Sequence, residues 1–91
     1  MSTSNVDISP VQCRAARTLL EMTQPQLAKL AKLGLSTIVD FERTRRQVSM
    51  EAIQAMQRAL EHAGVDFIDE NGGGPGVRLR QRLQEKSRKR T

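Results

Sequence analysis

The sequence predicts a mainly α protein: four short helices forming one small domain, a short C-terminal β-hairpin, and a basic tail. Three observations carry this expectation. Apolar residues recur at helical spacing between Ser9 and Gly64, a stretch punctuated by cap signals at Ser9, Thr23 and Ser49. After Gly64 the apolar period drops to two, in Val65-Asp66-Phe67-Ile68 and again in Val77-Arg78-Leu79-Arg80. Beyond Gln81 the chain is mostly polar and cationic. A chain of 91 residues, 37% of them apolar, has room for one small domain and core with arms on either side.

Residues 1–8 are polar and unpatterned and read as a flexible N-terminal arm. Ser9-Pro10-Val11-Gln12 then opens a helix. Ser9 caps it, Pro10 suits the first helical position, and Gln12 reaches back to the cap. Ile8 and Cys13 are spaced as a hydrophobic staple, and Val11, Ala15, Leu19 and Met22 form the expected buried stripe. A second capping box, Thr23-Gln24-Pro25-Gln26, ends that helix near Met22 and starts another, with Leu27, Leu30 and Ala31 inward. After Lys32-Leu33-Gly34 a third helix runs from Leu35 to Arg43, with Ile38 and Phe41 on its inner side. Thr44 to Val48 is a basic connection. Ser49 caps the fourth helix, Met50 to Ala63, with Ile53, Met56, Leu60 and Ala63 inward and Gly64 as its stop. Met22, Met50 and Met56 are all expected in the core. Four helices with a very short turn between the second and third outline a helix-turn-helix domain over residues 9–64. Residues 65–80 form the hairpin and 81–91 the basic tail. A lone two-stranded hairpin is marginal in water, so it must pack on the helices or pair with a second chain.

The charge is uneven. Lys and Arg number 15 against 10 acids, a net +5. From Arg78 onward Arg78, Arg80, Arg82, Lys86, Arg88, Lys89 and Arg90 face only Glu85. A second cluster, Lys29, Lys32, Arg43, Arg45 and Arg46, outweighs Asp40 and Glu42 between residues 24 and 49. Two basic patches on so small a chain point to a polyanionic partner.

From Arg14 to Leu60 the sequence resembles the Cro and lambda-repressor-like (XRE-type) family of bacterial and phage helix-turn-helix regulators. The matching string is Arg17…Thr23-Gln24-x-x-Leu27-Ala28…Thr37-Ile38-x-x-Phe41-Glu42. The run from Gly64 to Arg80, with Asn71-Gly72-Gly73-Gly74-Pro75-Gly76-Val77-Arg78-Leu79, looks like the tail of small single-domain members. The resemblance implies that the third helix enters the major groove. It places Leu35, Ser36 and Asp40 as base readers: Ser36 donates or accepts, Asp40 accepts from a cytosine amino group, and Leu35 meets a thymine methyl. Gln24 matches the phosphate-clamping glutamine at a helix N-terminus, and Arg43, Arg45 and Arg46 follow the recognition helix as phosphate grips. Arg17 and Glu42 match a structural ion pair between the first and third helices. Asp40 has a plainer alternative as the partner of Arg43. The chain departs from the pattern at Lys32, where the tight turn usually has Gly, at Gly34 in place of a polar cap, and at Thr44 in place of another Gly. A lysine at positive φ costs on the order of 1 kcal/mol.

Several classes are not expected. The chain has one cysteine and one histidine, so neither a disulfide framework nor a metal site is anticipated, and no cofactor. Cys13 reads as a small buried hydrophobe. Gly72-Gly73-Gly74-Pro75-Gly76 lacks the Lys-Ser/Thr pair and following helix of a phosphate loop and reads as a turn. No catalytic constellation is visible, so an enzyme is not expected. Without a cationic, apolar leader or a long apolar run, the expected setting is the bacterial cytoplasm, at the nucleoid, with no membrane partner.

The leading functional reading is a dimeric, sequence-specific repressor of double-stranded DNA with a palindromic operator, since one recognition helix covers only a few base pairs. Val65, Phe67, Val77 and Leu79 are the candidate dimer contacts, because one hairpin face and two edges need cover. The alternative is an antitoxin or anti-activator whose C-terminal segment binds a partner protein. A single-stranded RNA binder is disfavoured, because stacking needs aromatics and only Phe41 and Phe67 are present, both expected inside.

Overall fold

The computed structural model describes residues 7–69 and 73–80. Four helices, α1 (Pro10–Leu20), α2 (Gln24–Ala31), α3 (Leu35–Glu42) and α4 (Met50–Ala63), are followed by strands β1 (Val65–Ile68) and β2 (Gly76–Leu79). The polar arm before Asp7, Asn71 and Gly72 of the turn, and the basic tail after Arg80 lie outside the described residues.

The caps expected from the sequence define the starts of three helices. Ser9 and Thr23 each make a reciprocal capping box, with Gln12 and Gln26 respectively, and Ser49 accepts from the Ala52 N–H. The ends of α1, α2 and α3 share a second device. The chain closes each helix with a pair of backbone bonds across a residue in the left-handed conformation: Met22 to Arg17 and Glu21 to Thr18, Leu33 to Ala28 and Lys32 to Lys29, Arg45 to Asp40 and Thr44 to Phe41. Glycine is the usual residue there. Here the three positions are Glu21 (φ 57), Lys32 (φ 62) and Thr44 (φ 56). Lys32 therefore takes the positive φ outright. Only α4 ends on a glycine, Gly64 at φ 124.

Ile8, Cys13, Ala16, Leu27, Ala28, Ile38, Phe41, Met56, Leu60 and Val65 form the core. Removing a side chain the size of Leu27, Ile38, Met56 or Leu60 from water contributes about 1.5–3 kcal/mol each. The helices turn some expected residues outward. On α1 the buried positions are Gln12, Cys13 and Ala16, whereas Val11 is 61% and Leu19 39% exposed. The helix is rotated by about one residue, roughly 100°, from the stripe its larger apolar residues suggest. Leu30, Met50 and Ala63 are likewise exposed, and Ala52, Ala28 and Ile8 are buried in compensation.

The strands pair antiparallel, Val65 opposite Leu79 and Phe67 opposite Val77. The hairpin lies against α1 and α4. Gln12 joins the two units: its Oε1 accepts from the Ser9 N–H at 2.9 Å, and its Nε2 donates to the Gly76 carbonyl at 2.9 Å and, more loosely, to that of Ile68 at 3.4 Å. This packing corrects part of the dimer expectation. Val65 is fully buried in the chain's own core, and Phe67 and Val77 pack against it, so the helices supply the cover those residues need. Leu79, half exposed, and Ile68 on the opposite face stay open. No helix among the described residues is long and apolar enough to cross a membrane.

Candidate nucleic-acid interface

Glu42, the last residue of α3, organises the surface around it although its side chain is only 1% exposed. Arg17 of α1 approaches it as a fork, Nε to Oε2 and a terminal nitrogen to Oε1, both at 2.7 Å. The Gln24 amide nitrogen donates to Oε1 at 3.0 Å, and the Cys13 thiol to Oε2 at 3.1 Å. Arg14 donates to the Glu42 backbone carbonyl. Burial pushes the Glu42 carboxyl up, but the donors from Arg17, Cys13 and Gln24 outweigh it and hold the group below its ordinary value. Burial first, and then the bond to Glu42, push the Cys13 thiol up, so it is an inert donor rather than a reactive thiolate. The bond to Glu42 raises Arg17 further. The ion pair expected from the resemblance is thus present, and Arg14, Cys13 and Gln24 join it. Helical spacing offered a signal for two of these: Cys13 and Arg14 precede Arg17 by four and three positions, on one face of α1.

Gln24 sits at the first turn of α2. Thr23 N–H goes to Gln26 Oε1 at 2.8 Å, Gln26 N–H to Thr23 Oγ1 at 3.2 Å, and Pro25 has no N–H. Among the described residues this leaves the Gln24 N–H as the uncommitted backbone donor of that turn. The Gln24 side-chain amide carries a second hydrogen besides the one given to Glu42. Gln24 lines an open groove of about 760 Å³ with Arg14, Arg17, Glu42, Arg43 and Thr44, together with Glu21, Met22, Thr23 and Pro25. Arg17 is committed to Glu42 and to the Met22 carbonyl, so Arg14, Arg43 and the remaining Gln24 donors are the groups of this groove that suit an anion, with Glu21 as the opposing charge on its lining.

α3 reaches this groove with its C-terminal end, at Glu42. Leu35 is 45% exposed and Ser36 is exposed; Gly34 offers no side-chain cap, and the Thr37 N–H turns back to the Gly34 carbonyl at 3.1 Å. Asp40 differs from expectation. Its Oδ2 accepts from Arg46 Nε at 2.8 Å, and Arg45 stands 3.9 Å from its Oδ1. Its partners are thus Arg46 and Arg45 rather than Arg43, which lines the groove instead. Of the expected site residues, Leu35, Ser36, Asp40, Arg45 and Arg46 belong to α3 and the loop behind it, while Gln24 and Arg43 belong to the adjoining groove. The hairpin residues form a separate surface.

Comparison of the sequence with protein-family models gives no match, and neither does comparison with curated proteins. No group of three His, Cys, Asp or Glu residues able to hold a metal ion occurs among the described residues.

Proposed function

We propose that the chain is a sequence-specific, double-stranded DNA-binding transcription regulator of the lambda-repressor-like kind, acting as a dimeric repressor. The observation that carries this reading is the continuity of one surface. The C-terminal end of α3 closes the groove at the start of α2 that Arg14 and Arg43 line, Arg45 and Arg46 follow in the loop behind it, and Leu35 and Ser36 stand exposed in the first turn of the same helix. A duplex needs such a surface: a helix edge to enter the major groove, and flanking donors to hold the phosphates that fix its register. Leu35 and Ser36 face bases at the N-terminal end of α3, and Gln24, with Arg14 and Arg43 beside it, holds a backbone phosphate.

The test is fluorescence anisotropy on labelled duplexes, comparing DNA upstream of the protein's own coding region with scrambled DNA at about 150 mM salt. The label goes on the DNA, because the chain has no Trp or Tyr. A preference of about a thousandfold or more supports a specific, self-regulating binder. Weak binding, equal for both duplexes and abolished by salt, favours the second reading, a protein-binding antitoxin or anti-activator. The feature that speaks for that second reading is the hairpin, whose outer edges and exposed Ile68 and Leu79 offer backbone and apolar groups to another chain.

A further inference from the structure

Asp40 and Arg46 come from different parts of the sequence pattern, one a base reader and the other a phosphate grip, yet the fold joins them into one unit. Thr44 takes the left-handed conformation, and the Arg45 N–H closes onto the Asp40 carbonyl at 2.9 Å, which folds the basic loop back over the last turn of α3. Arg46 then gives its Nε–H to Asp40. The carboxylate is the covered partner and the guanidinium the exposed one, at 20% and 51% of their side-chain surface respectively. An acid at this position would repel a duplex if left bare, and here its charge is neutralised before DNA arrives. Because the bond uses Nε, the terminal edge of the guanidinium keeps its two parallel N–H donors free. That edge matches the O6 and N7 acceptors of a guanine, whereas adenine offers an amino donor in place of O6. Holding the long side chain in advance also reduces the ordering cost of the contact.

We infer that Arg46 reads a guanine in the major groove, and that Asp40 is the residue that positions it. The inference rests on the DNA-binding reading and sharpens it: the operator has a G·C pair where α3 ends, and Asp40 does not itself contact a cytosine.

The experiment is selection of duplexes from a randomised pool with the wild-type chain. Anisotropy titrations follow on the selected duplex and on its single-pair substitutions, using wild type, Arg46→Lys, Asp40→Asn and the double variant. The expected result is a G·C requirement at one position. Arg46→Lys and Asp40→Asn each weaken that preference about tenfold or more, and the double variant loses no more than Arg46→Lys alone. Thermal unfolding of each variant checks that the fold is intact, and a preference abolished at one base pair is a readout that general destabilisation does not produce. If Arg46→Lys weakens all duplexes alike and lowers the salt slope by about one, Arg46 is a phosphate contact and the inference is overturned. It is equally overturned if Asp40→Asn changes the base preference in the Arg46→Lys background, because Asp40 then reads the base directly. If the wild-type chain enriches no sequence, the DNA-binding reading itself fails and the guanine contact falls with it.

Discussion

A carboxylate shut away from water needs a donor for each lone pair it presents, and Glu42 receives four: two from Arg17 and one each from Gln24 and Cys13. They come from α1 and α2 and converge on α3, so this one side chain ties the three helices behind the candidate interface. Glu42→Gln keeps the volume but turns an amide toward those donors and leaves Arg17 unpaired. It is expected to cost about 3 kcal/mol, as removal of one member of a buried pair does, read as a lower urea midpoint by circular dichroism; a change below about 1 kcal/mol would mean the pair contributes little. The pH dependence follows from the direction of the shift. The folded carboxyl lies below its ordinary value of 4.5, so its contribution is complete above that value and fades as pH falls through the folded one. Wild-type stability should therefore decline below about pH 4.5 more steeply than that of Glu42→Gln. Thr44 is strained in the opposite sense. A β-branched residue at φ 56 is an outlier that a glycine would relieve. Thr44→Gly is expected to stabilise the domain by about 1 kcal/mol and raise Tm by a few degrees; Lys32→Gly is expected to do the same to a smaller degree. An unchanged or lowered Tm would place the strain elsewhere.

The helix starts and the period change after Gly64 were legible in the sequence because their causes are local: a hydroxyl three residues from an amide, a glutamine reaching back, a proline in the first turn. The face that α1 buries was not legible, because long-range partners set its rotation. Arg17 must meet Glu42 and Gln12 must meet Gly76, and those two requirements outweigh burial of Val11 and Leu19, whose places in the core go to the smaller Cys13 and Ala16. The same reason hid the Asp40 and Arg46 unit, which depends on the conformation of Thr44 rather than on spacing along α3. Gln12 is the clearest case of an element held by another, since a two-stranded hairpin is marginal alone. Gln12→Ala removes half of a capping box and the side-chain donor that α1 extends to the Gly76 carbonyl of the hairpin. The expected cost is about 1–3 kcal/mol, with hairpin amides losing hydrogen-exchange protection before those of α4. Equal loss of protection in both would show that the hairpin and the helical body open as one unit.

At the scale of the whole molecule, the proposed DNA reading requires a dimer, because one recognition helix spans too few base pairs for useful specificity and two copies would read half-sites about 34 Å apart. The hairpin cannot be deleted to test this pairing, because Val65, Phe67 and Val77 belong to the chain's own core. Substitution at the exposed end of the face is the usable test: Leu79→Glu should convert a dimer to a folded monomer by sedimentation, and an unchanged mass would move the dimer interface off that face. Base reading and charge then divide between two groups of residues. The proposed function assigns base edges to Ser36, and any phosphate within reach to Arg82, Lys86, Arg88, Lys89 and Arg90 of the tail. Each phosphate neutralised releases condensed counterions, so removal of residues 81–91 should weaken every duplex by a similar factor and flatten the slope of log affinity against log salt, by roughly 0.9 for each phosphate the tail had neutralised. Ser36→Ala should leave that slope unchanged and narrow the gap between operator and scrambled DNA. Titrations of both variants on both duplexes across a salt series separate the two effects. If truncation and Ser36→Ala erode specificity equally, the tail reads sequence or positions α3, and this division of labour between base contact and charge does not hold.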